Sequence, residues 1–96
     1  MKYLLADIGG TTTRCTVTGP DGGPGAARTF TNRDFDSLTD LLRDFIDGLE
    51  QDETPQAGVL AIAAPVSGDH VHMTNIEWDF SLDAIRGALG FLQLGP

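Results

Sequence analysis

The chain predicts an α/β fold, in which a mixed sheet begins with three antiparallel strands, continues with a parallel strand and carries helices packed against it. Three observations lead there. Hydrophobic residues fill Lys2 to Ile8, and after a glycine pair the strand-like run Thr12 to Thr18 follows as a hairpin partner. From Phe35 the hydrophobic period changes to spacings of three and four, the mark of an amphipathic helix. Behind a short loop, Ala57 to Ala63 is then a nearly unbroken apolar run, which is how a buried parallel strand reads.

Taken in order, Lys2 to Ile8 reads as a mostly buried strand, Thr12 to Thr18 as the second and Ala26 to Thr31 as the third. Between the last two, the glycines and prolines of residues 19–25 predict a surface hairpin loop, a plain connector. The helix turns Phe35, Leu38, Leu41, Leu42, Phe45, Ile46 and Leu49 inward. Asp34, Asp36 or Ser37 can cap its first N–H groups, and Gln51 to Gln56, with Pro55, stops it. Its acids Asp40, Asp44 and Asp47 spread over a solvated face and do not converge on a metal. Pro65 to Gly68 reads as a turn and His70 to Thr74 as a short strand or hairpin arm. Ser81 suits the N-cap of a second helix with Leu82, Ile85 and Leu89 inward, and Phe91 to Leu94 begins another apolar run. The chain ends as that run enters the sheet, which reads as a chain cut short.

Ninety-six residues at 41% hydrophobic content predict one domain with a modest core, small for an enzyme that closes around two substrates. One lysine and five arginines against fourteen acids leave a formal charge of -8, which repels a nucleic-acid backbone and argues against that class of partner. No stretch approaches the roughly 20 apolar residues of a membrane span, and Met1 to Ile8 runs into the glycine turn without a cleavage region, so the expected location is cytoplasmic. A lone Cys15 within a strand reads as a small buried hydrophobe. His70 and His72 share a strand face, but no cysteine or carboxylate at ligand spacing completes a metal set, and surface histidines explain the pair more simply. Repeats, a P-loop lysine, a nucleophile elbow and CxxC are all absent.

The run Leu4-Leu5-Ala6-Asp7-Ile8-Gly9-Gly10-Thr11-Thr12 carries the chemistry. Adjacent glycines admit positive φ and a close ligand, so that backbone N–H groups converge on phosphate oxygens while threonine hydroxyls add donors. A carboxylate beside phosphates makes sense mainly when it faces a hydrated Mg²⁺ that offsets the repulsion. The same order also makes an ordinary hairpin turn. Both readings can hold together.

The opening ADIGGTTTR, together with AIAAPVSGDHVHMTNIEWDFSLDAIRGALGF, resembles the bacterial ATP-dependent glucokinases of the sugar kinase, actin and Hsp70 superfamily, collinearly over the whole chain. The first block is the superfamily's general phosphate loop. The second, with Ala-x-x-Pro-x-x-Gly-Asp before Met73-Thr74-Asn75 and Trp78, is more specific to glucokinases. The resemblance implies a ribonuclease H-like (actin-like ATPase) small domain spanning 1–96, with the family's C-terminal domain absent. It further implies ATP and glucose as substrates, Mg²⁺ as cofactor, and transfer of the γ-phosphate to the glucose 6-hydroxyl. Ala6, Asp7, Ile8, Gly9, Gly10, Thr11 and Thr12 would form the ATP loop. Asp7 would hold the magnesium's water shell, the glycines would admit the phosphates, and Thr11 and Thr12 would bond the β- and γ-phosphates. Thr12 departs from the asparagine usual there, which changes reach and orientation. Arg14 matches a family arginine, open to a charge role near the site or a structural one. Pro65 to Ser67 and Thr74 to Trp78 resemble the small-domain wall of the sugar cleft, with Asn75 as sugar contact and Trp78 as loop packing. No catalytic residue is assigned, because the family's Asn-Asp pair, whose aspartate is the base, falls just beyond Pro96. The implied partner is the complementary C-terminal domain or a second copy. A contrasting reading is a non-catalytic α/β module that binds nucleotide or another chain.

Overall fold

The computed structural model describes residues 2–18, 27–74 and 76–96. The sequence opens as a hairpin: β1 (Tyr3–Ile8) pairs antiparallel with β2 (Thr12–Val17), which pairs antiparallel with β3 (Arg28–Thr31). A 3-10 turn at Asn32–Asp34 leads to α1 (Leu38–Asp47), and β4 (Ala57–Ile62) then enters parallel to β1, Tyr3 opposite Ala57 and Ile8 opposite Ile62. Three short strands follow, β5 (Val66–Ser67), β6 (His70–His72) and β7 (Asp79–Ser81), forming a small antiparallel sheet in that order. Finally α2 (Leu82–Leu89) returns the chain to β8 (Gln93–Gly95), parallel to β4. The main sheet is therefore mixed, in the order β3-β2-β1-β4-β8.

Helix α1 starts at Leu38, three residues after the hydrophobic period begins, because the Ser37 hydroxyl accepts the Asp40 N–H at 3.1 Å and sets the first turn there. It buries Leu38, Leu41, Leu42 and Phe45, leaving Asp40, Asp44 and Asp47 exposed as expected. It ends at Asp47, earlier than predicted: Gly48 and Leu49 donate to the Phe45 and Ile46 carbonyls at 3.2 and 3.0 Å, a tightened last turn. Phe35 and Leu49 pack on the core from outside the helix, and the Phe35 ring meets Phe30 edge-on at 5.7 Å.

The expected turn at Pro65 to Gly68 is shifted. Val66 and Ser67 pair with Val71 and His70, and the reversal falls at Gly68, with φ of 61°, and Asp69. Asp69 then acts at a distance in sequence, accepting the Asp83 N–H at 2.9 Å and the Ser81 hydroxyl, so it holds the N-terminus of α2 beside Ser81, whose oxygen accepts the Ala84 N–H at 3.1 Å.

The larger correction concerns the faces of the main sheet. Leu4, Ala6 and Ile8 of β1, Thr13, Cys15 and Val17 of β2, and Leu60 of β4 point into the core with both helices' apolar residues. On the opposite face Asp7, Arg14 and Ala61 are exposed, Leu5 and Thr16 are half-buried, and Val59 keeps 46% of its surface. The strands predicted to be buried are covered on one side only among the described residues. The loop expected over residues 19–25 lies outside them.

Candidate functional site

Where β1 hands over to β2, Gly9 donates its N–H to the Thr12 carbonyl at 2.9 Å, closing a tight reversal over Gly10 and Thr11. A side chain at Gly9 would place its Cβ 3.2 Å from that carbonyl, so close backbone approach is why glycine stands there. The positive φ expected of the pair is not what Gly9 supplies; left-handed glycines occur at Gly68 and Gly90.

One buried side chain fixes this reversal. Asn32, 1% exposed, donates its amide to the Gly9 carbonyl at 2.8 Å and accepts the Thr13 hydroxyl at 2.8 Å. Its backbone N–H donates to the Thr11 carbonyl at 2.9 Å. With Thr13 fully buried as well, these bonds form in a low-dielectric setting where each is strong and each would be costly to leave unmade. Sequence reasoning missed Asn32, which follows a strand in no motif and finds its partners 19 and 23 residues away.

The candidate residues do not all meet in one hollow. Ala6 and Asp7 line an open hollow of about 620 Å³ with Leu5, Arg14, Val59 and Ala61 on the uncovered sheet face. Gly10 and Thr11 line a smaller one of about 230 Å³ with Asn32, Arg33 and Ile76. Ile8 is fully buried in the core and its carbonyl accepts the Ala63 N–H at 3.0 Å, so it contributes framework, not a ligand contact. The Thr11 and Thr12 side chains are exposed. Asp7 and Arg14 face each other in register across β1 and β2, yet none of the ion pairs among the described residues involves either. An exposed carboxylate at a strand end, in no ion pair among the described residues, has the donor chemistry that a hydrated Mg²⁺ takes.

From the expected cleft wall, Ile76 reaches the cavity of Gly10 and Thr11, whereas Pro65 to Ser67 are exposed outside it. Met73 donates to the Trp78 carbonyl at 2.9 Å and closes the loop between them, with both side chains buried, so Trp78 packs the loop as anticipated. Asn75 lies outside the described residues. His70 and His72 both approach Asp79, the second at 3.4 Å, on the outer face of the small sheet. No group of three side chains among the described residues is arranged to hold a metal ion. Cys15 is wholly buried and its thiol is pushed up from 9.0 to about 12, burial outweighing the nearby Arg28.

The Glucokinase family model matches residues 4–95. This chain belongs to the glucokinase family. Among curated relatives, the "Bifunctional protein glk" of Burkholderia lata is 44% identical over 89 residues, covering 92% of this chain and 14% of that protein. The glucokinase of Saccharophagus degradans is 39% identical over 93 residues, 93% of this chain and 29% of its own length. The solved glucokinase from an Antarctic psychrotroph superposes with a TM-score of 0.88 at 32% identity, covering 98% of this chain and 31% of that one. The chain thus spans less than a third of the length of these curated relatives. No helix among the described residues is long and apolar enough to cross a membrane.

Proposed function

We propose that these residues are the phosphate-loop part of a glucokinase-type enzyme, an actin-like small domain that contributes one wall of a site where ATP phosphorylates glucose at its 6-hydroxyl. The observation that carries the reading is the β1–β2 reversal itself. Asp7 and the Thr11 and Thr12 hydroxyls are exposed around a turn that the buried Asn32 holds in place. Backbone and hydroxyl donors so fixed suit phosphate oxygens, and Asp7 suits the water shell of Mg²⁺. Such an ion, when bound, neutralises charge on the phosphates being transferred. Thr11 and Thr12 would donate to the β- and γ-phosphates, and Asn75, which lies outside the described residues, would contact the sugar.

Phosphoryl transfer depends on positioning both substrates and on closure around them. With one wall of the site and the base expected beyond Pro96, the chain by itself should bind Mg·ATP weakly, in the millimolar range at best, and should not turn over; the parent protein would act in the cytoplasm. A coupled assay of glucose- and ATP-dependent ADP formation, with a full-length glucokinase as control, tests this. No turnover is expected. Turnover that disappears in Asp7→Ala would mean that these 96 residues assemble a complete site.

A second reading, a non-catalytic module that docks on another chain, is favoured by the uncovered sheet face with Leu5, Val59 and Ala61. The two readings are compatible in one molecule.

A further inference from the structure

We infer that Arg33 is a phosphate-contacting residue of this loop, carried to its mouth by Asn32; the inference rests on the reading that the loop binds a nucleotide's phosphates. In a chain of formal charge -8 with five arginines, cations are scarce, and where the free ones stand is informative. Arg28 lies over the Phe30 ring at 4.8 Å. Arg43 donates to the Ala88 carbonyl, and Arg86 is held by Asp83 and the Phe91 carbonyl. Arg33 and Arg14 have none of these commitments among the described residues, and of the two Arg33 is the one that lines the cavity of Gly10 and Thr11, although Asp34 is next to it and Asp36 three positions on.

Its position is set by its neighbour. Asn32 is bonded through backbone and side chain to Thr11, Gly9 and Thr13, so the residue after it leaves the core at a fixed point. From there Arg33 lines the same 230 Å³ cavity as Gly10 and Thr11. That volume is below the several hundred Å³ of a typical small-molecule site, so it suits the phosphate end of a nucleotide and not the whole of one. A guanidinium presents a planar fork of donors that matches two phosphate oxygens at once, and it keeps its charge at any relevant pH. The ligand class is therefore a polyphosphate, its terminal group in the cavity that Gly10, Thr11 and Arg33 all line.

The test uses this 96-residue chain, following the amide signals of Gly9, Gly10 and Thr11 by NMR while Mg·ATP, inorganic tripolyphosphate or adenosine is added. Arg33→Ala is expected to weaken both phosphate probes by about tenfold, as loss of a charge-assisted contact does. Adenosine should be unaffected, Arg33→Lys should recover part of the loss, and thermal unfolding should not move because the side chain is exposed. Arg43→Ala removes the same charge from α1 and should bind as the unaltered chain does. Equal losses in Arg33→Ala and Arg43→Ala would reduce the effect to net charge and overturn the inference. Unchanged binding in Arg33→Ala, with loss in Thr11→Val, would overturn it while leaving the phosphate loop standing. No response of the unaltered chain to either phosphate probe would overturn both.

Discussion

Asp7 and Cys15 sit on opposite faces of paired strands, and that placement gives them opposite chemistry. Asp7 is exposed at the end of β1 with no ion-pair partner among the described residues, so none of the described contacts depends on its charge. Asp7→Ala should therefore leave the urea midpoint within the small range of surface substitutions, about 0.5 kcal/mol, while removing any Mg²⁺-dependent response to ATP. A Mg²⁺-dependent response that survives the change would sink the assignment. Cys15 has no surface at all, and its thiol is held up at about 12 chiefly by burial. A folded-state pKa raised above the unfolded one means that the unfolded chain gives up its proton first as pH climbs. The stabilisation is full below 9.0 and is lost progressively up to about 12. Unfolding midpoints should hold between pH 7 and 8.5, and above pH 9 they should fall more steeply for this chain than for Cys15→Ala. Parallel slopes for the two proteins would show that the thiol is not the group responsible.

Local devices govern the elements, which is why some were legible in the sequence and others were not. The Ser81 cap and the inward Leu82, Ile85 and Leu89 of α2 follow from a hydroxyl and a helical period within nine residues, and the structure bears them out. The end of α2 is as local: Phe91 donates to the Arg86 carbonyl at 3.0 Å and Gly90 to Gly87 at 3.3 Å, a Schellman motif with Gly90 at φ of 71° and Phe91 buried. Gly90→Ala should cost about 1 kcal/mol in urea unfolding, since a Cβ there meets open space and only the backbone is strained. Gly58→Ala in β4 should cost more, about 1–3 kcal/mol, for the opposite reason. Its Cβ would lie 2.9 Å from Leu94 Cδ1 and 3.1 Å from Phe91 in a packed interior. If Gly90→Ala proved the worse of the two, packing around β4 would be looser than the distances imply. Asn32 was illegible because its partners come from another hairpin arm. The Val66–Ser67 strand escaped notice because two residues carry no period, and only pairing with Val71 and His70 defines them.

At the scale of the molecule, the sequence of β4 and its surroundings disagree in an informative way. Ala57 to Ala63 has the composition of a strand covered on both faces, as parallel strands in α/β proteins usually are. Both helices lie on one face of the sheet, and the other carries Leu5, Val59 and Ala61 around an open hollow. Whether a face is covered depends on what else is present, so apolar composition reports the need for a cover without saying what supplies it. The curated relatives are more than three times longer, judging by the 29% of the Saccharophagus degradans glucokinase that this chain spans. Among the described residues no element covers this surface, and an exposed apolar face of this kind favours association with a second copy. The outer strand β8 adds unpaired backbone groups at the sheet edge. The chain is therefore expected to sediment as a dimer or larger species at high micromolar concentration. Val59→Glu should return it to monomer, because a carboxylate opposite Leu5 and diagonal to Asp7 on the same face gives two copies like charges to bury against each other. The circular dichroism spectrum should stay the same, since residue 59 points away from the core that both helices build. A monomeric unaltered chain would show that the open face tolerates water, and the residues around Asp7 would then be accessible to ligands as they stand. Association that survives Val59→Glu would move the contact to the edge of β8.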